Sequence, residues 1–252
     1  MTSVTLGHLD NSVQQASAAA VARVLEAYDL EVEYVAAPRA EMEEHMRRGD
    51  VDLFVSAWLP DVDAGFVAPE LGMEAFGQLS RPVFGFCVPE AAATGITSLA
   101  DLGAAGCPVG REIVAPASVI DLVRQVVAAY NLTEAGYTIA SRPDAQAGDH
   151  AAHVLEGSLP EIIPVWQPSF VHYGQRLVTL EDPKAACGPE QEARILIRSA
   201  IRADMDSDLL DELDELTLGN KVVSALDHAM RTEGMSAEDA AEAWQRGKLL
   251  PR

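Results

Sequence analysis

The chain has 252 residues, 48% hydrophobic and 23% charged, which is enough for one large or two modest packed domains. Its 39 acidic and 18 basic residues leave a net charge of −21, which argues against a nucleic-acid-binding surface. No apolar run approaches the ~20 residues of a membrane-spanning helix. Cys87, Cys107 and Cys187 form no CxxC or Cys/His cluster, so no metal or redox motif is expected, and no cofactor.

Val4 to Leu6 reads as a first strand, and Asp10-Asn11-Ser12 is a start signal for an Ala-rich helix from Val13 to Tyr28. Glu31 to Val35 alternates as a second strand, Glu41 to Arg48 is a short polar helix ended by Gly49, and Val51 to Val55 is a third strand. This β-α-β-α-β opening predicts a parallel sheet with helices on its faces. A Pro-, Gly- and Asp-rich loop runs from Leu59 to Gly72, followed by extended segments at Phe76 to Leu79 and Pro82 to Val88. Cys87, in the latter, reads as a small core residue; one disulfide stays open.

A second, smaller α/β unit is expected from about Pro89 to Leu159. Its pieces are a short helix at Ser98 to Leu102, strands at Cys107 to Gly110 and Tyr137 to Ala140, and helices at Val119 to Tyr130 and Gln146 to Leu155. Ile162 to Val165 returns the chain, Arg176 to Leu180 and Arg194 to Ile201 read as strands, and the last fifty residues are helical. The pattern predicts an α/β molecule of two lobes, each a sheet flanked by helices. Residues 1–85 and 166–252 form the first lobe and 86–165 the inserted second, with a ligand cleft between them and hinge closure expected.

Two segments carry the chemistry: Ser56-Ala57-Trp58-Leu59-Pro60 and Pro164-Val165-Trp166-Gln167-Pro168. Each places a Trp just past the carboxyl end of an apolar strand, the edge at which open α/β sheets bind ligands. Two indoles at such an edge suit an apolar, electron-rich pocket for a small molecule or cation. Core filling is the competing reading for both, and packing is the expected role of Trp244.

The stretch Gly49-Asp50-Val51-Asp52-Leu53-Phe54-Val55-Ser56-Ala57-Trp58-Leu59-Pro60 resembles a signature of the glycine betaine, proline betaine and choline substrate-binding proteins of ABC importers. Pro164 to Pro168, Leu180-Glu181-Asp182-Pro183 and Ala240-Ala241-Glu242-Ala243-Trp244 carry the same resemblance in the same order. It implies a two-lobed, type II periplasmic-binding-protein fold and a quaternary ammonium group boxed by aromatic rings. Trp58 and Trp166 match the cage positions. The second motif departs from the family's Trp-x-Pro-His, having Ser169 where the His stands, with His172 three residues later. A third cage Trp expected near Gly110 to Pro116 is absent; Phe84, Phe86, Tyr137, Phe170 and Tyr173 are the candidate replacements.

A ligand carboxylate suits a helix N-terminus, here Asn11-Ser12 or Ala117-Ser118. His8, at the end of the first strand, and His172 are further candidate contacts, alongside Pro60 and Ser169. Asp61 and Asp63 read as a solvated turn, and His45, His150, His153 and His228 as surface residues. No GxSxG, P-loop or HExxH motif supports catalysis.

The resemblance therefore implies a non-catalytic receptor that hands a small zwitterionic or cationic amine to a membrane permease and its ATPase. The alternative is an intracellular small-molecule sensor or partner-binding module on the same fold. Met1 to Leu6 carries no basic or apolar leader pattern, so a cytoplasmic place is expected if the chain is complete as given. A periplasmic or extracellular place is expected if a leader is missing from it.

Overall fold

The computed structural model describes residues 3–174 and 177–251. In chain order its elements are β1 (Ser3–Leu9), α1 (Ser12–Ala27), β2 (Glu31–Ala37), α2 (Arg39–Arg48), β3 (Leu53–Leu59), β4 (Met73–Ser80) and β5 (Val83–Pro89). Then come β6 (Glu112–Pro116), α3 (Ile120–Ala129), β7 (Thr138–Arg142), α4 (Asp144–Gly157), β8 (Ile163–Gln167) and β9 (Leu177–Thr179). Finally come β10 (Glu192–Arg198), α5 (Ser199–Arg202), α6 (Ser207–Glu215), α7 (Gly219–Thr232) and α8 (Ala237–Gln245).

The chain divides into two compact units. The first comprises Met1–Pro82, Pro168–Tyr173 and Gln191–Arg252, and the second Val83–Gln167 and Gly174–Glu190. Residues 83–85, 166–167 and 174–190 thus group with the second unit, not with the first lobe to which the sequence pattern assigns them. The reason is pairing: β9 lies against β5, and Leu180 N–H donates to Phe86 O at 2.9 Å.

In the first unit a five-stranded sheet runs β2-β1-β3-β10-β4. The parallel β2-β1-β3 half is the expected βαβαβ start, and β10 is antiparallel to both its neighbours. Both faces are covered. Val4, Leu6, Leu53, Val55, Ile195 and Ile197 pack with α1, α6, α7 and α8. Phe54, Ala57 and Leu196 pack on the other face with Met42 and Met46 of α2 and with Phe66. Burial on both faces explains why Leu53 to Ala57 is continuously apolar apart from Ser56.

The side-chain alternation along β3 breaks at Ser56. Leu53 and Val55 lie on one face and Phe54 on the other, yet Ala57 joins Phe54 and Trp58 packs with the Leu53 face. Opposite this point the β10 register slips: Phe54 pairs with Leu196 but Ala57 with Arg194, so three steps on β3 meet two on β10. Ser56 is therefore in a β-bulge, with φ +67°.

The second unit has an antiparallel sheet, β8-β5-β9, and a parallel pair, β6-β7, with Ile113 bridging to Ile162. Its core gathers Phe86, Val88, Leu99, Ile113, Val123, Val126 and Leu132. Cys107 to Gly110 is irregular and the strand lies instead at Glu112–Pro116, where the continuous apolar run Ile113-Val114-Ala115 is buried. The strand expected to reach Ile201 ends at Arg198 and turns into α5. Arg176, expected to open β9, lies outside the described residues. All three cysteines are free; Cys87 and Cys187 are buried, and burial pushes their thiols up to about 11 and about 12.

Candidate functional site

In the first unit, the carboxyl ends of β1 and β3 and the start of α1 share one sheet edge, and Trp58 stands on it. Trp58 and Trp166 lie inside the last residues of β3 and β8, not beyond them, because strand pairing carries on to Leu59 and Gln167. Pro60 is exposed and follows Leu59 through a cis peptide bond.

Neither Trp58 nor its loop is left to solvent forces. The indole Nε1–H donates to Ser56 Oγ at 3.1 Å, the backbone N–H donates to Asp63 Oδ2 at 2.7 Å, and Asp63 N–H returns a bond to Trp58 O at 2.8 Å. The ring packs against the first unit's core while remaining partly exposed.

Asp63 is 1% exposed and ion-paired with Arg39 Nη1, so the solvated turn expected at this position is a buried anchor. Burial raises its carboxyl above the usual range against the opposing pull of Arg39 and the Trp58 amide. Gln191 holds the same loop, accepting from Asp61 and Val62 N–H at 2.9 and 3.3 Å and donating to Asp61 Oδ2 at 3.1 Å.

The α1 start is built around Asn11. Its Oδ1 caps Gln14 N–H at 3.0 Å and its Nδ2 donates to Gln14 Oε1 at 3.1 Å. Gln14 Nε2 in turn donates to Ser56 O at 2.8 Å, a buried bond. The buried carboxylate of Asp227 lies by Ser12, which favours its charged form, and accepts from Phe170 N–H at 2.6 Å. Ser169 N–H donates to Ser224 Oγ at 3.2 Å, so α7 seats the segment after the second Trp motif next to the α1 start.

His172 belongs to that segment. Its half-buried imidazole is pushed down to about 4 by burial, against a hydrogen bond to the Ser169 backbone, so it is neutral near pH 7. The Tyr173 ring lies 4.6 Å from that of His228, tilted by 44°, and His228 is itself half-buried and not the surface group its polar context predicts. His8 is 4% exposed and its Nδ1–H donates to Leu9 O at 2.9 Å. That is the loop hydrogen bond, rather than the open contact.

In the second unit, Trp166 is the direct cross-strand partner of Phe84, their rings 5.4 Å apart at 59°. The indole packs on the second unit's core and stays partly exposed. Ala117 and Ser118 form an exposed 3-10 turn before α3, and the Ser118 N–H is already donated to Asp144 Oδ1 at 3.1 Å. An open amide pair at this start is therefore not what the fold provides.

The candidate third rings sort by burial. Phe84, Phe86 and Tyr137 are core residues, and Phe170 lies under the Arg231 guanidinium, 4.4 Å from it. Tyr173 alone among the five is not buried.

Ser56, Asp63, Gln14, Asp227 and Gln191 are the residues holding the candidate site together whose part sequence reasoning missed. The signal for Gln14 is a lone amide at a position that the Ala-rich helix face buries. Among the described residues no group of three or more His, Cys, Asp or Glu is placed to hold a metal ion.

A family model described as the substrate-binding domain of ABC-type glycine betaine transport systems matches residues 2–246. No curated protein matches the chain. Among solved structures, lactococcal OpuAC in its closed conformation with glycine betaine is 19% identical with a TM-score of 0.77, covering 98% of this chain and 96% of that one. The glycine betaine/L-proline-binding protein ProX of Borrelia burgdorferi is 19% identical, TM-score 0.74, covering 96% and 92%. An ABC-transporter choline-binding protein in complex with choline is 15% identical, TM-score 0.71, covering 98% and 88%.

These likenesses and the two mixed α/β units give the type II periplasmic-binding-protein fold that the resemblance implies. With the match spanning nearly its whole length, the chain belongs to the family of substrate-binding domains of ABC-type glycine betaine transport systems.

Proposed function

We propose that the chain captures a small quaternary amine, glycine betaine or a relative such as proline betaine or choline, without turning it over. It then passes the amine to a membrane permease driven by a separate ATPase, on the outward side of the membrane. The observation that carries the reading is Trp58, a partly exposed indole that a bulge, a serine hydroxyl and a buried aspartate hold at the sheet edge. A quaternary ammonium has no N–H to donate and is loosely hydrated, so aromatic faces replace its water at little cost. Each desolvated ring contributes about 2 kcal/mol at best. Trp166 supplies a second indole, and the α1 start at Asn11-Ser12, beside Ser169 and the neutral His172, supplies donors for a carboxylate.

Calorimetric titration with glycine betaine, proline betaine, choline, carnitine and free amino acids tests the ligand class. Saturable heat with at least one quaternary amine supports it, and binding confined to other compounds rejects it. Trp58→Ala and Trp166→Ala are each expected to weaken binding by roughly tenfold or more. Unchanged affinity in either variant removes that ring from the site.

A further inference from the structure

We propose that Gln14 is a positioning residue for Trp58: its buried side-chain amide clamps the Ser56 bulge that aims the indole. The proposal rests on the reading of Trp58 given above. Without the bulge, Trp58 would fall on the Phe54 face of β3 and point toward α2, since successive strand residues alternate. The bulge reverses that phase and brings the ring to the α1 and α7 side.

Holding it has two costs. Ser56 sits at φ +67°, a left-handed conformation that a non-glycine residue adopts under strain. Its carbonyl also needs a donor where regular pairing stops, because β3 pairs with β1 only through Leu53 and Phe54. Gln14 Nε2 supplies that donor at 2.8 Å, and Ser56 Oγ meanwhile receives the indole N–H at 3.1 Å.

A buried amide is a poor choice for mere packing. Gln14 is 3% exposed on a helix face otherwise made of Ala, Val and Leu apart from Ser17, whose hydroxyl is satisfied within the helix by Val13 O; an unpaired amide would be penalised there and an apolar side chain would serve. Both ends of this amide are used, with Oε1 taking Asn11 Nδ2 while Nε2 holds Ser56 O. An unbroken chain of hydrogen bonds thus runs from the α1 cap through Gln14 and Ser56 to the indole of Trp58. The turn suited to a ligand carboxylate and the ring suited to its ammonium are fixed to each other through one side chain.

The test uses the full chain and its indole N–H resonances, with Trp58 assigned by Trp58→Phe. Gln14→Leu is expected to move the Trp58 indole resonance while those of Trp166 and Trp244 hold, and to weaken glycine betaine binding by about tenfold. Gln14→Glu keeps the size and the oxygen facing Asn11 but removes the donor to Ser56, and is expected to give the same pair of changes. It carries the test alone if Gln14→Leu fails to fold. An unmoved Trp58 resonance in the folded variant, or a moved one with full affinity, overturns the proposal. Wild-type protein that binds no quaternary amine while the resonance still moves sinks the functional reading instead, and the two failures are told apart.

Discussion

Two buried carboxylates, Asp63 and Asp227, organise the candidate site of the first unit by accepting backbone N–H groups. Asp63 receives the Trp58 N–H and pairs with Arg39, while Asp227 receives Phe170 N–H. Truncating one of them leaves a buried donor without its acceptor, which costs more than the bond itself contributes. Asp63→Ala is therefore expected to lose about 2–3 kcal/mol of unfolding free energy, read from urea midpoints at unchanged slope. A loss within about 0.5 kcal/mol, the level of an ordinary surface change, would return Asp63 to the status of a solvated turn residue.

His172 gives a pH signature of definite sign. Its pKa falls from 6.5 unfolded to about 4 folded, so above pH 6.5 both states hold it neutral and its full stability is present. As pH drops from 6.5 toward 4 the unfolded chain gains a proton that the folded chain refuses, and stability declines by at most about 3 kcal/mol. Burial moves Asp63 and Asp227 the other way, favouring their protonated forms and so the folded state as pH falls through the carboxylate range. The His172 share is isolated by comparing wild type with His172→Asn in denaturant at about pH 7 and about pH 4.5. The gap between the two proteins is expected to change with pH, and a constant gap would mean an imidazole that titrates normally.

Packing of whole elements makes a tight demand where β4 meets α6. Gly77, at φ +58°, donates to Asp214 Oδ1 at 2.7 Å, and a Cβ there would lie 2.9 Å from the Leu213 carbonyl. Backbone cannot retreat as a flexible side chain does, so Gly77→Ala combines strain with overpacking and is expected to destabilise by about 2–4 kcal/mol. Thermal unfolding of the folded variant measures it, and an unchanged midpoint would mean that α6 can shift away from the strand.

The same element scale shows what the letters carried. Periodicity and start signals located β1, α1, β2, α2 and the C-terminal helices, because α1 begins at an Asn cap, α2 ends on Gly49 and α8 starts at Ser236. The two Trp segments were legible as motifs. The bulge at Ser56 was not, since it depends on the slipped register of β10 at Arg194, 138 residues later, which sequence alone cannot align. Asp63 looked like a solvated turn because its partner Arg39 belongs to a different element, and a contact between elements leaves no local pattern.

At the scale of the whole molecule the net charge of −21 distinguishes the candidate ligands more sharply than shape does. A choline-like cation carries a full positive charge that the acidic protein attracts, whereas glycine betaine is neutral overall and feels mainly the local donors and rings. Salt removes the first effect: the screening length shrinks from about 30 Å at 0.01 M to about 3 Å at 1 M ionic strength. Between those limits choline affinity is expected to fall severalfold and glycine betaine affinity to change much less, as titration calorimetry at both salts reports. Ring contacts and fixed amides are short-range and survive screening, so the affinity left at high salt belongs to the site itself. Equal salt responses for the two ligands would mean that the surface charge does not reach the binding residues, leaving selection to the indoles and the α1 start alone.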